Sequence, residues 1–231
     1  MKKNYKNYLK NKIDPNIFAL EVWYLGGNIM PSKEIVFNLN RNYYIDLEEF
    51  FLNATNHVFN DTRLTRCIEH WINRYGKYLS PSKIKKIINS GQTYNKAVLG
   101  VFLEFISGPN WFKSKFIILK DYVIPSQKKI KLFDHLPIPS KIDSTWEKYG
   151  IVAPLFLKEL EVDKNLKTID YVLQSIPELK FRIMGFPIAI SDYKAFKKFE
   201  ENCSLYKIAK QTHTPYSRLH KLHKDHLQYM S

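Results

Sequence analysis

The last stretch of the chain, Cys203 to Tyr229 (CSLYKIAKQTHTPYSRLHKLHKDHLQY), leaves the backbone the least choice. Ser204 is a helix N-cap, since its hydroxyl can take up a backbone N–H that the first turn leaves without a partner. The spacing predicts a helix from Leu205 to His213. Thr214-Pro215-Tyr216 then turns the chain, because proline lacks an N–H and disfavours a helical residue before it. Ser217 caps a last helix running to about Tyr229. One more amphipathic helix, Ser191 to Glu201, comes first, with Ser191 as its cap and Tyr193, Phe196 and Phe199 for packing. The order is helix, helix, short turn, helix.

The pattern Ser-x-x-x-Ile-Ala-Lys-x-Thr-x-x-Pro-x-Ser-x-Leu, which begins at Ser204 and ends at Leu219, resembles the helix-turn-helix family. Ile208 and Ala209 match that family's packing positions, and Leu219 matches the buried position of its second, recognition helix. The resemblance implies a helix laid on nucleic acid. Tyr216, Ser217, Arg218, His220, Lys221 and Lys224 would face the ligand, with Lys207 and Lys210 beside them. One departure stands out: the family's turn carries a left-handed glycine where this chain has His213 or Thr214. No strand pattern follows the last helix, so no wing is expected. The resemblance covers about a quarter of the chain and brings no whole-chain family with it.

Charge points the same way. The formal net charge is +14 and the isoelectric point is near 9.5. A field of that sign favours a polyanion. From Lys180 onward there are ten Lys and Arg against four Asp and Glu. Part of the lysine content is also what an AT-rich coding sequence produces, and it comes with the abundant Asn, Ile and Tyr. The segment PSKIKKIINSG offers a secondary basic patch, with Lys83, Lys85 and Lys86 facing outward from a helix capped by Ser80.

The 231 residues hold one large domain or a medium one with an appendage. Cys67 and Cys203 form no metal-ligand spacing and fit a reducing cytoplasm. His220, His223 and His226 recur every third residue, a spacing that drifts around a helix and rarely aims three ligands at one ion. No metal or cofactor is expected. The N-terminal lead-in is basic but has no apolar signal core. The longest apolar run, Ala97 to Ile106, is broken by Glu104 and is too short to span a membrane. The expectation is a cytoplasmic protein with no membrane partner.

The rest of the chain predicts a mixed body. Ile17 to Leu25 and Glu34 to Leu39 read as strands of a hairpin around the Gly26-Gly27-Asn28 turn. That turn is no phosphate loop, since no Gly-Lys-Ser/Thr ending or helix follows it. Helices are expected over Asp46 to Val58, Asp61 to Tyr75 (closed by Gly76), Ser80 to Gly91 and Asn95 to Ile106. Lys115 to Ile124 and Lys129 to Phe133 read as a second hairpin. Short helices are expected over Trp146 to Tyr149, Ala153 to Leu160 and Thr168 to Ser175, with a break at Pro177. The fold class is therefore α+β. A mixed body of a helical cluster plus one or two β-hairpins occupies residues 1–178, and a C-terminal three-helix helix-turn-helix occupies 179–231.

The function that follows is non-enzymatic nucleic-acid binding, to DNA or RNA. The protein would be a DNA-binding regulator or nucleoprotein-complex component of a bacterial or phage mobile element or defence system, acting as a homodimer or within a larger nucleoprotein complex. Two other classes compete. The Arg63–His70 spacing resembles the short Arg-to-His motif of HEPN-type ribonucleases, and would make Arg63 and His70 catalytic. Alternatively the C-terminal helices serve as a protein-protein interaction module.

Overall fold

Local capping signals set most of the helix starts. The computed structural model describes residues 14–29, 43–59, 61–155 and 165–228. Helix α1 (Pro15–Tyr24) opens on Asp14, whose carboxylate accepts the Asn16 N–H at 2.8 Å, with Pro15 in the first turn. Asp46 caps α2 (Leu47–His57) and Asp61 caps α3 (Thr62–Tyr75), each accepting two backbone N–H groups. Ser80 caps α4 (Pro81–Asn89) and Asn95 caps α5 (Lys96–Ser107). Two 3₁₀ segments follow, Trp111–Lys113 and Lys115–Tyr122, then β1 (Ile130–Lys131), α6 (Ser144–Glu147) and β2 (Ile151–Val152). The chain closes with α7 (Ile169–Ser175), α8 (Pro177–Ile183), α9 (Ile188–Phe199), α10 (Leu205–Gln211) and α11 (Tyr216–Gln228).

Helix α5 is the buried axis of the body: Val98, Leu99, Val101, Phe102 and Leu103 are all shut off from solvent. Aromatic side chains of α2 and α3 close around it. Phe51 meets Phe102 with ring centroids 5.6 Å apart, and Phe50 meets Trp71 edge-on at 4.9 Å. Trp71 gives its indole N–H to Leu25 O at 3.0 Å, which fixes the end of α1 on α3. Gly100 lets the Tyr149 ring lie directly on α5: a Cβ there would stand 2.2 Å from that ring. Tyr149 in turn accepts the Trp111 indole N–H and donates to Glu104.

Helix dominates the described residues, with a single pair of two-residue strands among them. Several strand expectations therefore fail. Ile17 to Leu25 is not a strand but most of α1. The Asp14-Pro15 start outweighs the β-prone composition, and a helix covered by core on several sides buries Phe18, Leu20, Val22 and Leu25, a near-alternation that mimics a strand. The partner expected for it, Glu34 to Leu39, lies outside the described residues. Lys115 to Ile124 is not a strand either. It forms the longer 3₁₀ segment, whose threefold period puts Phe116 and Leu119 inside and leaves Ile117 and Ile118 exposed. The strand around Lys129 to Phe133 does exist, but it pairs in parallel with β2, Ile130 opposite Ile151, rather than in a hairpin. Residues 151–152 are thus strand, and most of the helix expected over Ala153 to Leu160 lies outside the described residues. Gly76 closes α3 after Tyr75 as expected, though not through a left-handed turn. Its φ is −57°, and its missing Cβ makes room for Ile106.

A buried ion cluster joins α8 and α9 to α2 and α4. Arg182 on α8 holds Glu48 through both carboxylate oxygens, at 2.5 and 2.9 Å, and reaches Asp192 on α9 at 2.7 Å. Lys83 on α4 sits 2.6 Å from Asp46, 2.6 Å from Asp192 and 3.1 Å from Glu48. Two cations thus face three carboxylates. Burial, with Glu48 and Asp192 adding repulsion, pushes the Asp46 carboxyl up to about 7 even against the pull of Lys83. Burial would also raise Glu48, but Arg182 and Lys83 override it and hold that carboxyl far below its usual range.

Candidate nucleic-acid interface

The last three helices share a small core of their own. Phe196 of α9, Ile208 of α10 and Leu219 of α11 are buried together, with Tyr193, Leu205, Ala209 and Leu222 packed around them. Tyr44 from the body also joins, its ring 5.5 Å from Phe196. Ser204 caps α10 as its sequence suggests, its Oγ accepting the Lys207 N–H at 3.2 Å. Ser191 does not cap α9. That helix begins at Ile188 after Pro187, and the Ser191 hydroxyl, one turn in, donates to Phe186 O at 3.0 Å. Ser217 likewise falls inside the first turn of α11 rather than before it.

The turn from α10 to α11 is built around His213. Its φ of +51° is the one left-handed value at a non-glycine among the described residues. Asn, Asp and His reach that region more readily than branched residues do. The preceding Thr212 closes α10 by donating its hydroxyl to Ile208 O at 2.9 Å. Two body helices grip the turn. His213 Nε2 lies 2.5 Å from the Glu49 carboxylate of α2, and Lys86 Nζ of α4 donates to His213 O at 2.6 Å. Burial opposes protonation of the His213 ring, but the hydrogen bond and charge of Glu49 win and raise its pKa above the ordinary histidine value.

Beyond the turn, Tyr216, Ser217, Arg218, His220, Lys221 and Lys224 are all exposed on α11, while Leu219 is fully buried. Lys207 and Lys210 are exposed on α10. Lys207 pairs with Glu200 across the α9–α10 bend. His223 faces inward enough to share a hydrogen bond with Tyr193 Oη at 2.9 Å. Tyr206, which no sequence pattern singles out, is 69% exposed beside Lys207 and is the most open Phe, Tyr or Trp ring among the described residues. His213 stands out in the sequence as the residue in place of a turn glycine, but its partner Glu49 does not. Glu49 lies 164 positions away, and only the fold brings the two together.

The secondary basic patch divides. Lys85 and Lys86 are exposed, as expected. Lys83 is buried in the ion cluster, because it shares the inward stripe of α4 with Ile84 and Ile87. The three carboxylates around it bring oxygens within 4.8 Å of one another, a metal-like spacing, but the Lys83 ammonium and the Arg182 guanidinium already occupy the space between them. Arg63 and His70 stand two turns apart on α3, about 10 Å along its axis. Arg63 is exposed in the first turn, and His70 is buried with Nδ1 3.2 Å from the Asn165 amide. Burial, then Arg74 and Arg66, lower the pKa of His70. Cys67 is buried one turn before His70, and burial pushes its thiol up to about 11, far from a reactive thiolate.

Compared with known proteins, the chain matches no family model, no curated sequence and no solved structure. No helix among the described residues is long and apolar enough to cross a membrane.

Proposed function

We propose that this chain is a non-enzymatic DNA-binding protein that seats α11 in the major groove. The observation carrying this reading is the division of α11. Leu219 is sealed against α9 and α10, while every side chain expected to face the ligand, from Tyr216 to Lys224, is open to solvent. The left-handed backbone at His213, where helix-turn-helix proteins carry glycine, supports the same reading. Residues at the N-terminal end of such a helix, here Tyr216, Ser217 and Arg218, meet base edges, and those further along, Lys221 and Lys224, meet phosphate. Release of counterions from the duplex supplies most of the affinity. The biological setting we infer is a cytoplasmic regulator or nucleoprotein component.

The test is binding to duplex DNA, single-stranded DNA and RNA across a salt titration, for the wild type and for Arg218→Ala/Lys221→Ala. Wild-type affinity for duplex should fall steeply with salt, and the double change should weaken it roughly 10- to 100-fold. Binding that ignores both salt and the double change overturns the reading in favour of a protein-contact module. RNA cleavage by the wild type that is lost in His70→Ala would replace it with the ribonuclease.

A further inference from the structure

Helix α4 lies against the turn that launches α11, and it brings a basic face with it. Ser82, Lys85, Lys86 and Asn89 form the outward face of α4, and the helix contains no acidic residue. Lys86 Nζ is 2.6 Å from the carbonyl of His213, three residues before the start of α11. Three residues of chain span at most about 11 Å. Lys86 is therefore fixed beside the N-terminal end of α11 by a bond to a neutral group, with its charge uncancelled by that bond. Lys85, one position earlier, is exposed next to the Tyr122 ring, 5.9 Å from its centroid. The nearby acid, Glu49, is engaged by His213.

A helix seated in a major groove about 12 Å wide has a phosphate backbone on either side. A cation near the N-terminal end of that helix is within reach of one of these strands. We propose that Lys85 and Lys86 of α4 form a second phosphate-binding surface for duplex DNA, contiguous with α11, so that the body itself holds one backbone while α11 occupies the groove. This rests on the DNA-binding reading above. It extends the footprint from the last three helices to an element more than a hundred residues upstream, and it gives the grip of α4 on the turn a second purpose.

Lys85→Ala is the decisive variant, because Lys85 makes no bond to the turn and its loss leaves the His213 contact intact. Each lysine that neutralises one phosphate contributes about 0.9 to the slope of log affinity against log salt. Full-length Lys85→Ala should bind a duplex with that slope reduced by about 0.9, and Lys85→Ala/Lys86→Ala by about 1.8. Preference among duplex sequences should stay unchanged, since phosphate contacts carry no base information. Thermal unfolding checks that both variants fold as the wild type does. An unchanged slope in Lys85→Ala overturns the proposal, as does a loss of affinity without a change of slope. A wild type that shows no salt-dependent duplex binding refutes the underlying reading instead. Tighter binding to single strands or RNA than to duplex overturns the assignment to duplex phosphate.

Discussion

His213 combines an unfavourable backbone with a favourable side chain. Glycine at this position would relax the left-handed φ but lose the bond to Glu49. The pH dependence of that bond follows from its direction. The folded pKa of His213 is raised, so its stabilisation is complete below the ordinary histidine range, near 6.5, and is lost as pH rises through the folded value. Glu49→Gln should therefore cost on the order of 1 kcal/mol in urea unfolding at about pH 5.5 and almost nothing near pH 8.5. Equal cost at both pH values would mean that the ring is not charged against Glu49. At the same scale, Lys83 shows how distant partners override a local pattern. Its neighbours Lys85 and Lys86 do face outward, and the acids that draw Lys83 inward come from α2 and from Asp192, 109 positions away.

Among elements, the helices that could be read in advance carry their signals within four residues. Asp46, Asp61, Ser80, Asn95, Thr168 and Ser204 each precede an apolar stripe, and each accepts a backbone N–H of the first turn. Where the deciding contact is distant, the sequence misleads. The 3₁₀ segment at Lys115–Tyr122 packs on α4, and the side chains that it turns inward are set by that contact, whereas over Ile17 to Leu25 the β-prone composition masks a local helix start at Asp14-Pro15. The candidate interface divides in the same way. The exposed face of α11 was legible because Leu219 marks the opposite side, whereas the support of the turn by α2 and α4 was not. Close contact between elements also gives a firm mutational outcome. Gly100→Ala drives a methyl into Tyr149 and disturbs the bonds from Trp111 and to Glu104. It should cost about 1–3 kcal/mol, seen as a melting-point drop of roughly 2–4 °C per kcal/mol.

For the whole molecule, the ion cluster is the dominant electrostatic feature of the interior. Because the folded Asp46 pKa is raised to about 7 from 3.8, this group makes stability fall as pH climbs between those values. Glu48 acts oppositely: its depressed pKa gives stability above about 4.5 that is lost only in strong acid. Asp46→Asn keeps an N-cap of equal quality and leaves two cations facing two carboxylates. It should therefore unfold within about 1 kcal/mol of the wild type at pH 8 and show a flatter profile between pH 4 and 7. Lys83→Met, by contrast, strands buried carboxylates and should cost about 3–5 kcal/mol. If Lys83→Met proves harmless while Asp46→Asn is severe, the balance of charge in the cluster is not what holds these helices together.

That cluster also bears on how such a chain can change over generations. Its five members lie on four helices, α4 and α8 each giving one cation and α9, α2 and the α2 cap the three anions. A crossover near residue 178 that exchanged the C-terminal helices would take Arg182 from Glu48 and Asp192 from Lys83 in a single step. The outer face of α11, which the cluster never touches, is therefore freer to vary by single substitutions than the C-terminal helices are to be exchanged as a block.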